Sequence, residues 1–118
     1  MTLSGTVAEQ LACDYLQKRG LQLVTKNYHC RRGEIDLIMQ DQSTLVFVEV
    51  RYRASSKFGS ALESVNTQKQ QKIIYTAEHF LSNQKDSFSQ YRFDVVAIMP
   101  NAQQQPEIHW LKNAFQLS

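Results

Sequence analysis

The sequence predicts an α/β fold, a mixed five-stranded sheet flanked by helices in the order αβββαββ. Three observations predict it. Two stretches, one near the N-terminus and one in the middle of the chain, repeat apolar residues at helical spacing. Between them, Gly33 to Arg53 first alternates apolar with polar residues and then runs apolar, as two strands joined by a polar turn do. After the second helical stretch, two further runs rich in β-branched and aromatic residues follow.

Each element has its own justification. From Thr6 to Arg19, Val7, Ala8, Leu11, Ala12, Tyr15 and Leu16 form one helical stripe, and Gly20 ends the helix. Thr6 and Glu9 fit a capping box, which would turn Glu9 back towards the start of its own helix. Leu21 to Tyr28 reads as the first strand, and Arg31 and Arg32 follow in a turn closed by Gly33. Ile35, Leu37 and Met39 alternate with Glu34, Asp36 and Gln40, the period of a half-buried strand. Asp41-Gln42-Ser43 supplies a turn, and Leu45 to Val50 is a strand buried on both faces.

A polar loop is expected from Ala54 to Ser64, with Phe58 tacking it to the core. Asn66 is a fair N-cap for a second helix reaching Ser82. Ile73, Ile74, Ala77, Phe80 and Leu81 form its buried face, while Lys69, Lys72, Tyr75, Thr76 and His79 fall outside that stripe. Tyr91 to Met99 and Glu107 to Leu111 complete the sheet, with Arg92 paired to Asp94 and Phe115 packed against the strands. The first three strands would form an antiparallel meander. The third strand, second helix and fourth strand would form one right-handed crossover. Residues 1–118 are then a single domain with a modest core.

Composition narrows the class. Hydrophobic content of 42% and charged content of 20% are ordinary for a globular protein. No apolar run approaches the roughly 20 residues of a membrane span, and no secretory pattern opens the chain. Cys13 and Cys30 lack CxxC spacing, so free thiols in a reducing cytoplasm are expected. His29, His79 and His109 stand singly and give no zinc-type motif. Net charge is only +2, but eight basic residues against five acidic ones lie between Lys26 and Lys72. On charge alone a solvated mixed surface explains these numbers. A polyanion partner becomes the better account if two of the acids are taken up by a metal.

The hairpin identifies those two acids. Centred between Gln42 and Ser43, it sets Ile38 opposite Phe47, Asp36 opposite Glu49, and Glu34 opposite Arg51. Opposed side chains have Cβ atoms about 4.5–5.5 Å apart, and like charges so placed repel. Two carboxylates inside an apolar sheet need compensation. A divalent cation supplies it, since hard metals take carboxylate oxygens. Arg51, two residues beyond Glu49, puts a fixed cation on the same face. The alternative is that Glu34 pairs with Arg51 while Asp36 and Glu49 reach solvent at a strand end.

GEIDLI, a turn and VFVEVRYR resemble the YraN family of small bacterial proteins. Gly5, Glu9, Asn27, Phe58-Gly59, Lys69, Arg92-Phe93-Asp94 and Asn113-Ala114-Phe115 extend the resemblance over most of the chain. More distantly the hairpin is similar to archaeal Holliday-junction resolvases and restriction-endonuclease-like nucleases, which carry an Asp on one strand and Glu/Asp-x-Lys on the next. Asp36 and Glu49-Val50-Arg51 would be those positions, with Arg where the nucleases have Lys. The resemblance implies a restriction-endonuclease-like fold, a homodimer, and a metal-binding Glu on the first helix, here Glu9. The expected function is a metal-dependent endonuclease acting on DNA, with branched or damaged structures as candidate substrates. Mg²⁺ or Mn²⁺ would sit on Asp36, Glu49 and Glu9, with Arg51 beside the scissile phosphate. Arg31, Arg32, Arg53, Lys57 and Lys69 would contact the backbone. The alternative is a non-catalytic nucleic-acid-binding or adaptor protein that keeps the fold, which the Arg at 51 favours because Arg cannot exchange a proton.

Overall fold

A computed structural model describes residues 3–54, 58–84, 88 and 90–116, the side chains of 58–60 excepted. Helix α1 (Gly5–Lys18) leads to strands β1 (Gln22–Cys30), β2 (Gly33–Asp41) and β3 (Thr44–Tyr52). Helices α2 (Phe58–Glu63) and α3 (Thr67–Ser82) follow, then β4 (Gln90–Pro100) and β5 (Pro106–Phe115). The strands form one sheet in the order β1-β2-β3-β4-β5. Only β3 and β4 run parallel; every other neighbouring pair is antiparallel. A parallel pair needs a long crossover, and α2 with α3 provides it. The result is a mixed five-stranded α/β architecture consistent with the restriction-endonuclease-like fold.

Two apolar layers sandwich the sheet. Ala8, Ala12, Cys13 and Leu16 of α1 cover Leu37, Met39, Val46, Val48, Val96 and Ile98. On the other face, Ile73, Ala77 and Phe80 of α3 cover Ile38, Leu45, Phe47, Phe93 and Val95. β3 and β4 therefore contribute to both layers, which is why both read as near-continuous apolar runs. Phe47 stacks on Phe93, and Phe93 on Phe115. Fully burying a side chain of this size contributes about 1.5–3 kcal/mol. The edge strands β1 and β5 are mostly half-buried or exposed.

Several local expectations are corrected. The side chain of Ser4, not Thr6, caps α1, its Oγ accepting from Val7 N at 3.1 Å. The helix starts earlier than the apolar stripe because a serine cap outside the stripe satisfies its first amides. The expected 54–64 loop contains α2. Thr76, placed outside the buried stripe, is fully buried and donates its hydroxyl back to Lys72 O. Strand β5 runs on through Asn113, whose φ of 53° accompanies a bulge opposite Phe93 and Val95. Asn66 caps α3 as expected, accepting from Lys69 N at 2.9 Å. Arg92 pairs with Asp94, which also accepts from Trp110 Nε1 and Asn113 N. Among the described residues, no helix is long and apolar enough to cross a membrane.

Candidate metal and nucleic-acid site

The β2–β3 hairpin has the expected register: Leu37 faces Val48, Ile38 faces Phe47, and Met39 faces Val46. Its paired residues stop at Leu37 and Val48. One step beyond, Val50 N donates to Asp36 Oδ2 at 2.8 Å. A carboxylate here takes the backbone N–H that a strand carbonyl would otherwise accept, and the ladder gives way at the level of Asp36 and Glu49.

A change of face in β1 and β2 sits at the same level. Lys26 pairs with Leu37 and Tyr28 with Ile35. Leu37 packs beneath α1, whereas Ile35 and Tyr28 pack with the α3 layer. In a regular strand Ile35 and Leu37 would share a face. Between these pairs lie Asn27 and Asp36, and Asn27 has φ of 52°. Asn tolerates this left-handed conformation better than most residues. The Asn27 side chain stands beside Glu9 and favours its charged form.

Glu49 is 3% exposed and stands at the centre of the site. Its Oε2 accepts Arg51 Nη2 at 2.8 Å and has Lys69 Nζ at 3.4 Å. Asp36 stands beside it. Burial raises the Glu49 pKa from the ordinary 4.5 to about 8, and the charge of Asp36 adds to the rise. Arg51 and Lys69 oppose it without overcoming it. The Glu49 carboxyl thus keeps its proton near neutral pH, the behaviour of a carboxyl in a dry place beside a like charge. The alternative with solvent-facing carboxylates and a Glu34–Arg51 pair does not hold, because Glu49 is buried and Arg51 is bonded to it.

Glu9 lies on the α1 side of this pair. Its pKa is raised, first by partial burial and next by the charge of Asp36, while the Asn27 side chain acts against the rise. Among the described residues, no three His, Cys, Asp or Glu side chains converge into a ready ligand set. Asp36 and Glu49 are nevertheless an oxygen pair that suits Mg²⁺, which keeps several waters and needs few protein carboxylates. A second observation fits an anion beside them. Arg51 Nε is buried and donates to no acceptor among the described residues, a cost of about 1–3 kcal/mol for an unmet donor.

The basic residues divide. Arg31, Arg32, Lys69 and Lys72 line one open groove of about 460 Å³ with Cys30, Gly33 and Glu34. Lys69 belongs to both places, lining the groove and contacting Glu49. Arg53 is not among the groove residues; its guanidinium donates to Tyr52 O at 3.2 Å. Lys57 and the Phe58 side chain lie outside the described residues. The groove depends on Gly33. A Cβ there would stand 2.9 Å from Thr76 Oγ1 and 3.2 Å from Lys72 O. Only glycine lets the Arg31–Arg32 turn lie this close to α3.

Sequence reasoning placed Lys69 on the rim and missed its bond to Glu49. The available signal was the Asn66 cap, which puts Lys69 in the first turn of the crossover helix, after the strand that carries Glu49. Asn27 was also available as a signal, since Asn is a poor strand residue inside an otherwise regular run.

Comparison with known proteins finds relatives along nearly the whole chain. Residues 8–98 match the model of uncharacterised protein family UPF0102. The chain is 53% identical to a UPF0102 protein of Saccharophagus degradans over 116 residues, covering 98% of this chain and 94% of that protein. It is 49% identical to a UPF0102 protein of Nitrosococcus oceani over 96% of this chain and 91% of that one. A UPF0102 protein of Legionella pneumophila, lpg2994, is 50% identical over 94% and 92% respectively.

Proposed function

The chain belongs to uncharacterised protein family UPF0102, the YraN family, and from that premise we propose that it is a metal-dependent endonuclease acting on DNA. One observation carries the reading: the half-buried Asp36 and buried Glu49 at the end of the β2–β3 ladder, flanked by Arg51 and joined to a basic groove through Lys69. Asp36 and Glu49 would hold a Mg²⁺ or Mn²⁺ ion, and Glu9 of α1 would be a third ligand only by moving towards them. When bound, such an ion supplies a Lewis acid for a phosphate oxygen and lowers the pKa of a water.

The chain's own residues do the rest. Arg31, Arg32 and Lys72 seat the phosphate backbone in the groove and fix its register without reading sequence. Arg51 is a permanent charge held on Glu49, beside the carboxylate pair. Lys69 sets a second cation beside Glu49 and links that carboxyl to the groove.

The test is incubation with Mn²⁺ and branched, nicked, single-stranded and duplex DNA, comparing wild type with Glu49→Gln. Metal-dependent cleavage that disappears in the variant supports the reading. Binding without cleavage in either protein would replace it with the second reading, a non-catalytic nucleic-acid-binding or adaptor protein. That reading is favoured by Arg51, which stands where the resembled nucleases carry Lys.

A further inference from the structure

We propose that the surface around Tyr75 is a stacking site for one unpaired nucleobase, adjoining the phosphate groove. The proposal deepens the nucleic-acid reading above and rests on it. Tyr75 is 41% exposed on α3, although a ring of this size normally gains by burial. Its position is held from one side by the Arg32 guanidinium, 4.7 Å from the ring centroid. Arg32 is itself fixed by the tight docking of Gly33 on Thr76 and Lys72.

Two hollows meet at Tyr75, and their chemistry differs. The first, about 280 Å³, is lined by Arg32, Gln68, Gln71 and Lys72. Arg32 and Lys72 also line the basic groove, so a phosphate track there continues to the ring. The second, about 300 Å³, is lined by Thr67, Gln70, Gln71, Ile74 and Glu78. Ile74 gives it an apolar wall. Gln70 and Gln71 can each donate and accept, and Glu78 accepts only. This combination repels a phosphate beside Glu78 and suits a flat heterocycle with exocyclic amines.

The geometry therefore places backbone on the Arg32 side of Tyr75 and a base on the amide side. A paired base keeps its faces inside its own stack, whereas an unpaired one can offer a face to an aromatic ring. The substrate class that satisfies both hollows is nucleic acid with at least one unpaired base beside a phosphate run, such as a bulge, a flap or a branch point.

The experiment compares three DNA duplexes by fluorescence anisotropy at low salt: fully paired, with one bulged nucleotide, and with one bulged abasic residue. The two bulged duplexes carry the same charge and differ only in the base. Wild type should favour the bulged base over the abasic bulge by about ten-fold or more, the scale of one base–aromatic stack. Tyr75→Phe should keep that preference and Tyr75→Ala should abolish it, with far-UV circular dichroism confirming that both variants fold. Equal affinity for base and abasic bulges, or a preference that survives Tyr75→Ala, overturns the stacking site and leaves the nucleic-acid reading standing. Absence of binding to all three duplexes overturns both.

Discussion

Replacing Glu49 with Gln should make the protein more stable at alkaline pH while leaving it nearly unchanged in acid. The Glu49 carboxyl sits at about 8 in the fold against an ordinary 4.5. Because the folded value is the higher one, its contribution is fully present below about pH 4.5 and lost as pH rises through about 8. Each pH unit of displacement corresponds to 1.36 kcal/mol, so the full loss is at most about 5 kcal/mol. The coupling to Asp36, Arg51 and Lys69 spreads it over the cluster, and a loss of roughly 2–4 kcal/mol is expected. Gln keeps the volume and the hydrogen bonding but has no proton to lose. Urea unfolding at about pH 5, 7 and 9 in EDTA should show wild type weakening with pH and Glu49→Gln weakening less. Millimolar Mg²⁺ should restore the wild type chiefly at the alkaline end, because a metal competes with the Glu49 proton. Parallel pH profiles for the two proteins would refute the buried-pair reasoning.

Three other outcomes follow from named contacts. Gly33→Ala should cost about 1–3 kcal/mol in chemical denaturation, since the new Cβ meets Thr76 Oγ1 and the Lys72 carbonyl and neither can move freely. Its salt-sensitive DNA binding should weaken as well, because the Arg31–Arg32 turn would be pushed off α3. Asp94→Ala should cost about 3–5 kcal/mol by thermal unfolding, because Asp94 is fully buried and takes donors from Arg92, Trp110 and Asn113. Replacing Arg31 and Arg32 together with Ala should flatten the log–log salt dependence of duplex binding by about one to two. An unchanged slope would remove those two residues from the phosphate track.

Much of the fold was legible because it follows from local chemistry. Asn66 marked the start of α3, and the stripe of Ile73, Ala77 and Phe80 marked its buried face. The period of β2 and the apolar run of β3 gave the hairpin and its register, so Asp36 and Glu49 could be set at one level in advance. Edges were less legible: the serine cap of α1 lies outside its stripe, and β5 continues past its apolar run through a left-handed Asn113.

What the amino-acid sequence determined by itself was the order of elements and the meeting of two carboxylates, since period and turn length are short-range properties. What only the tertiary structure decided was their environment. The α3 layer seals Glu49 and brings Lys69 to it from a part of the chain 20 residues away. The left-handed Asn27 of β1 stands beside Glu9 of α1, and Gly33 seats the Arg31–Arg32 turn against α3. Burial, pKa and ion pairing depend on distances between elements, and such distances are set by packing, which no single stretch of sequence contains.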